Sequence, residues 1–204
     1  MLRKLSLVLL ALIIATPAMA VFSQPIAQDA SVSPAGTIQL SSGLTLESDW
    51  IIFGFRGSYT IIDGLSAFAG LGLADPDGLS VGPYFQAGGS YALPVDLPVD
   101  LAIRGGLSYG TFSRGGFDLD VTSLNGGVLA SMPVQDMVSV YGFGGLSIIR
   151  SKASVSRFGS SSDTDVEPAI AAGAIFKLDA NFSFYGELAF IDDLFVSAGA
   201  RYTF

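Results

Sequence analysis

The chain has 204 residues, 50% of them hydrophobic and only 14% charged, with no cysteine and no histidine. Ten bases against 18 acids give a net charge of −8, which excludes the phosphate-neutralising surface that nucleic acids need. The missing cysteines exclude a disulfide framework and thiolate metal sites, and the low charged fraction is unlike a soluble domain, where about a quarter of residues are charged.

At the N-terminus Arg3 and Lys4 precede the apolar run "LSLVLLALIIA", followed by Pro17 and the small-residue site Ala18-Met19-Ala20. That order reads as a cleaved signal peptide over residues 1–20, the run being short of the roughly 20 residues of a membrane-spanning helix. Its removal takes Arg3 and Lys4 and leaves eight bases against 18 acids, a net charge of −10. Residues 21–35 contain two prolines and small polar residues without a sustained period, which predicts a flexible periplasmic leader.

From residue 36 to 204 one motif recurs, about ten alternating residues and then a turn signal, as expected of a single all-β domain. A first strand is predicted over 37–46. The next pairs, around 51–60 with 65–74 and 79–93 with 99–111, meet at "IIDGLS" and "PVDLPVD", and "MPVQDMVS" and "KLDANFS" separate two more pairs. All four turns combine Asp with Gly, Pro or Asn, which favour tight reversals. The other connections are "ESD", "ADPDG", "TFSRGG", the long "SKASVSRFGSSSDTD" and "IDD". Ten strands result, or eight if the first pair or the last loop has been split too finely, and both chain ends fall on the tight-turn side.

Successive side chains of a strand point to opposite faces. In the second strand Ile51, Phe53, Phe55 and Tyr59 oppose Gly54, Arg56, Ser58 and Thr60; in the ninth, Phe182, Phe184, Leu188 and Phe190 oppose Ser183, Tyr185 and Glu187. The polar face is made of small or isolated charged residues, too few charges for a soluble surface. Turned inside out, with the apolar face toward lipid, the same pattern satisfies every backbone group in a closed ladder. The expected fold is therefore a closed antiparallel up-and-down transmembrane β-barrel. Tyr91, Phe182, Phe184, Tyr202 and Phe204 are expected in one interfacial girdle, and Trp50, Phe53, Tyr109, Phe117 and Phe190 in the other. In the sixth strand the apolar parity passes from Phe117, Leu119 and Val121 to Leu124, Val128 and Ala130, which predicts a β-bulge near Thr122 or Ser123.

The signal peptide, the amphipathic strands and the terminal "ARYTF" resemble the small outer-membrane β-barrel proteins of Gram-negative bacteria, the opacity-protein-like group. The resemblance implies outer-membrane localisation with both termini periplasmic. It also implies that Tyr202 and Phe204 form a C-terminal signal read by the barrel-assembly machinery. It is poor for function, because such barrels share a fold and differ in activity.

Barrel enzymes of the outer membrane resemble one another in using a His-assisted nucleophile or water, and without histidine this chain lacks a near-neutral base; a non-enzymatic protein without cofactor is expected. Arg56, Arg104, Lys177, Glu187 and Arg201 fall on the inward parity. They read either as an anion-selective bore or as a charge and hydrogen-bond network filling a narrow barrel, with Phe68, Tyr84, Tyr141, Phe143 and Tyr185 as plugs. Arg114, Arg150, Lys152 and Arg157 are candidate contacts for lipopolysaccharide phosphates. Asp75 to Gly78 and Asp192-Asp193 offer oxygens but not the ligand count of a calcium loop, so no metal site is assigned. The leading expectation is a structural or surface-interaction barrel in contact with outer-membrane lipid; the alternatives are a narrow passive pore and, third, a soluble lipocalin-like periplasmic carrier.

Overall fold

A computed structural model describes residues 28–155 and 159–204. The signal-peptide segment and Arg157 lie outside the described residues. Ten strands, β1 (Ile38–Leu46), β2 (Trp50–Ile62), β3 (Leu65–Pro76), β4 (Gly82–Leu93), β5 (Asp100–Arg114), β6 (Phe117–Gln135), β7 (Val138–Val155), β8 (Gly159–Lys177), β9 (Phe182–Ile191) and β10 (Asp193–Thr203), form one sheet. Each pairs antiparallel with its sequence neighbours, and β1 closes on β10. Ten is thus the strand number, and the eight-strand alternative falls. No described helix is long and apolar enough to cross a membrane.

The alternation predicted from the sequence sets the two faces. Ile51, Phe53, Phe55 and Tyr59 of β2, Ile103 and Leu107 of β5, and Phe184, Leu188 and Phe190 of β9 are all exposed on the outer wall. Their inward neighbours Arg56, Arg104 and Glu187 are buried. At the short-turn end the aromatics stack in pairs, Phe182 with Phe184 and Tyr202 with Phe204, edge to face at 5.1 and 4.7 Å between centroids.

The strands differ in height. β6, β7 and β8 have 19, 18 and 19 residues, whereas β9 has 10. The segment "SKASVSRFGSSSDTD", expected as a loop, is mostly the two arms of a hairpin: Ser151 pairs with Asp163, Ala153 with Ser161 and Val155 with Gly159. A serine run has the composition of a loop, but a neighbouring strand satisfies its backbone groups all the same. Most of "TFSRGG" is likewise strand. Arg114 pairs with Phe117, and the two residues between them, Gly115 and Gly116, have φ of 59° and 88°, the left-handed pair that a type I′ hairpin turn needs.

The bulge expected near Thr122 is absent: β6 keeps one register with β5 from Phe117 to Ser131. Leu119 and Val121 point inward and are buried, while Leu124 and Val128 point outward and are exposed. The apolar parity changes because the environment changes. Within the bilayer the outer face must be apolar, whereas the part of β6 beyond it carries Asp118 and Asp120 outward and buries its apolar residues inside. Trp50 is corrected for the same reason: it sits inside, 3% exposed, packed edge to face on Phe112 at 5.0 Å, and not in a girdle. The register shifts that do occur lie between Thr60 and Ile62 and between Pro133 and Gln135, at the short-turn end.

Candidate functional site

The lumen is filled in two layers. Toward the long-hairpin end the inward parity of β2, β5, β6, β7, β9 and β10 supplies Trp50, Ile52, Phe112, Leu119, Val121, Ile149, Ile191 and Phe195, all buried in one apolar cluster. Toward the short-turn end the same parity supplies the charges.

Arg56, Arg104, Glu187 and Arg201 are 7%, 5%, 4% and 6% exposed, so the structure brings four of the five expected interior charges together in the lumen. The fifth, Lys177, is the last residue of β8 and is exposed at the short-turn mouth. The ring of Phe68 lies beneath two guanidiniums, Arg104 at 4.2 Å and Arg56 at 5.6 Å from its centroid, an arrangement that offsets part of the cost of burying a cation. Tyr141 Oη donates to Glu187 Oε2 at 2.6 Å, and Arg201 Nε donates to Ser183 Oγ at 3.2 Å. Hydroxyl pairs between adjacent strands, Thr45 with Ser197, Thr60 with Ser66 and Ser123 with Ser147, satisfy one another at 2.9 to 3.0 Å.

Sequence reasoning missed the other occupant of the lumen. Residues 28–35, the last part of the leader, cross the short-turn mouth. Arg104 Nη1 donates to Gln28 Oε1 at 3.0 Å and Gln28 Nε2 to Ser90 Oγ at 2.9 Å. The Ala30 amide donates to Ser131 Oγ at 2.7 Å, and Asp29 Oδ2 lies 3.8 Å from Arg201 Nη2. Ala35 N donates to Asp63 Oδ1 in the β2–β3 turn. This strap touches five elements around the mouth, and Asp29 adds a second carboxylate to the three luminal guanidiniums. Beside it is a cleft of about 320 Å³ lined by Lys177, Asp179, Ser183 and Arg201. Deeper in, the cavity next to Arg104, Phe68 and Phe143 is about 20 Å³, room for about one water.

The long-hairpin rim is acidic. Glu47, Asp49, Asp75, Asp77, Asp118, Asp120, Asp163, Asp165, Glu167, Asp192 and Asp193 face only Arg114, Arg150 and Lys152 among the described residues. Arg150 and Lys152 share the outward face of β7, whereas Arg114 is apart at the β5–β6 turn, donating to the Gly78 carbonyl at 3.0 Å. In the β1–β2 turn the Glu47 carboxyl is pushed up to about 8, first by burial and then by Asp193, Asp49 and Asp192. Among the described residues no group of three or more acidic side chains is arranged to hold a metal.

The model of the outer membrane protein beta-barrel domain family matches residues 6–203. Solved structures similar to this chain include the outer membrane protease OmpT from Escherichia coli, 11% identical over 87% of this chain and 100% of that one, with a TM-score of 0.51. Ail, the attachment invasion locus protein of Yersinia pestis, is 17% identical over 82% and 95%, with a TM-score of 0.46. The N-terminal β-barrel domain of Pseudomonas aeruginosa OprF is 10% identical over 84% and 100%, with a TM-score of 0.44. No curated protein matches the chain.

Proposed function

The chain belongs to the outer membrane protein beta-barrel domain family, and on that premise we propose that it is a non-enzymatic scaffold with a closed lumen that presents an acidic rim at the cell surface. The observation that carries this reading is the filling of the lumen along its length, by Phe112, Leu119, Ile149 and Phe195 in one half and by the charged network with the Gln28 to Ala35 strap in the other. A conducting pore needs a continuous polar path, and the apolar layer interrupts it.

Residues 1–20 act as the cleaved export signal in this reading, the short-turn end and both termini lie in the periplasm, and the tall β5–β8 wall stands outside the cell. Tyr202 and Phe204, exposed on the outer face at the closing strand, serve the barrel-assembly machinery as its recognition signal. Arg150 and Lys152 meet lipopolysaccharide phosphates at the outer rim. Although the fold is similar to that of a protease, the chain has no histidine, and the acids and hydroxyls left to it lack a base poised near neutrality.

Fractionation of the expressed protein, followed by planar-bilayer recording, tests the reading. The expected result is an outer-membrane pellet, a mobility on denaturing gels that changes with heating, and electrical silence. A steady conductance that changes in Arg104→Glu would replace the scaffold with a pore; recovery in solution without detergent would overturn the lipid-facing wall.

A further inference from the structure

The register of the tall hairpin leaves one strand with an open side. β8 pairs with β7 from Gly159 to Phe176, but with β9 only from Ile170 to Lys177. Residues 159–169 therefore have no strand partner on the β9 side among the described residues. In an antiparallel ladder alternate residues turn their N–H and C=O groups toward each neighbour, so this edge presents backbone groups over roughly 35 Å, at about 3.4 Å per residue. Within it the Thr164 amide is turned onto Asp163 Oδ1 at 2.9 Å, and Pro168 brings a carbonyl but no N–H. Exposed edges of this length are places where another strand can add.

The edge has a sign. Asp163, Asp165 and Glu167 occur at every second position, on the parity that continues the buried Ala169 and Ala171, so their side chains line one face of any added strand. Asp165 Oδ2 and, diagonally across the β7–β8 ladder, Ser151 Oγ are both buried without a hydrogen-bond partner among the described residues. The Asp165 oxygen, an acceptor only, lacks a donor among the described residues. A second copy does not supply it, because antiparallel self-pairing about Asp165 would set acid against acid, and like charges across a ladder destabilise it. Lipid phosphates are repelled for the same reason.

We propose that the open edge of β8 over residues 159–169 is a strand-addition site for an extended segment of another protein carrying Lys or Arg at alternate positions. Backbone pairing supplies the docking, and the three acids select the charge and set the register. The inference extends the scaffold reading; its test reads binding and not conductance, so either can fail alone.

The test uses the full chain folded in micelles free of lipopolysaccharide and a labelled peptide of roughly ten residues, about the length of a long strand, alternating Lys and Thr. Anisotropy should show salt-sensitive binding, and hydrogen exchange should slow at the amides of 159–167. Methylating alternate backbone nitrogens of the peptide keeps its charge and removes its pairing, and should abolish that protection. The triple change Asp163→Lys, Asp165→Lys, Glu167→Lys should weaken binding by roughly tenfold or more, the sum of three cross-strand charge pairs. The triple amide variant Asp163→Asn, Asp165→Asn, Glu167→Gln should fall between, with heat-dependent mobility confirming that each variant folds. Equal binding of the methylated peptide, or no binding at low salt, would overturn strand addition. Protection of the same amides by self-association or by added lipopolysaccharide would overturn the assigned partner.

Discussion

Glu187 holds a singular position, a carboxylate 4% exposed in a lumen that also buries three guanidiniums. Removing one partner from a buried ionic network leaves uncompensated charge and costs about 3–5 kcal/mol. Glu187→Gln should lower unfolding stability in urea by that order, whereas Tyr141→Phe, which removes only the donor at 2.6 Å, should cost about 1.5–3 kcal/mol. The luminal aromatics also depend on absent side chains: a Cβ on Gly173 would run into the Tyr141 ring, while one on Gly144 would meet nothing within 4 Å. Gly173→Ala is therefore expected to destabilise the barrel and Gly144→Ala to leave its unfolding midpoint nearly unchanged. Outside the membrane, Glu47 gives a pH dependence of defined sign. Its folded carboxyl holds a proton up to about pH 8 against an ordinary 4.5, so the folded turn binds more protons than the unfolded chain between those values. Its stabilisation is complete below 4.5 and lost as pH rises through 8. Protection of the Trp50 amide, which donates to the Glu47 carbonyl, should fall from pH 5 to pH 9 once intrinsic exchange is corrected, and Glu47→Gln should flatten the change.

At the scale of the strand, the period of two was legible wherever one environment persisted along an element. β9 is the clear case: each of its 10 residues takes the face that its parity predicts. β6 defeated the same reasoning because its 19 residues cross from lipid to water, and the apolar parity exchanges sides at that boundary with no change in backbone register. Leu119 and Val121 were read as continuing an outer face when they are the inner packing of a wall standing clear of the bilayer. The hairpin arms of β7 and β8 were hidden for a related reason, since polar alternation on both faces carries no amphipathic signal. This difference in environment has a measurable consequence. Leu188→Arg, at the middle of the short strand β9, should cost about 2–4 kcal/mol, the depth-dependent penalty for a charge on the lipid face. Ser162→Arg, on the outward parity of the tall arm of β8, should change stability by no more than about 0.5 kcal/mol, as surface substitutions do.

For the molecule as a whole, the sequence pointed to a closed barrel with charges inside, and the structure adds how the charges are housed. The strap escaped prediction because Gln28 and Asp29 belong to no periodic segment; the only hint was the surplus of inward bases, Arg56, Arg104 and Arg201 against Glu187, which calls for a carboxylate from elsewhere. The seal of the lumen is consequently split between two unlike layers. The strap and the arginines close the short-turn half by hydrogen bonds, and Trp50, Phe112, Leu119, Ile149 and Phe195 close the other half by apolar packing. If both layers seal, loosening one cannot open a path. Gln28→Ala with Asp29→Ala removes the hydrogen bonds to Arg104 and Ser90 and the ion pair to Arg201 and leaves the Ala30 and Ala35 amides on Ser131 and Asp63. The strap should therefore loosen at its Gln28 end and the Ala30 amide should exchange faster, while the double variant stays silent in a planar bilayer. A steady conductance from that variant would show that the apolar layer admits water and that the strap alone was holding the barrel shut.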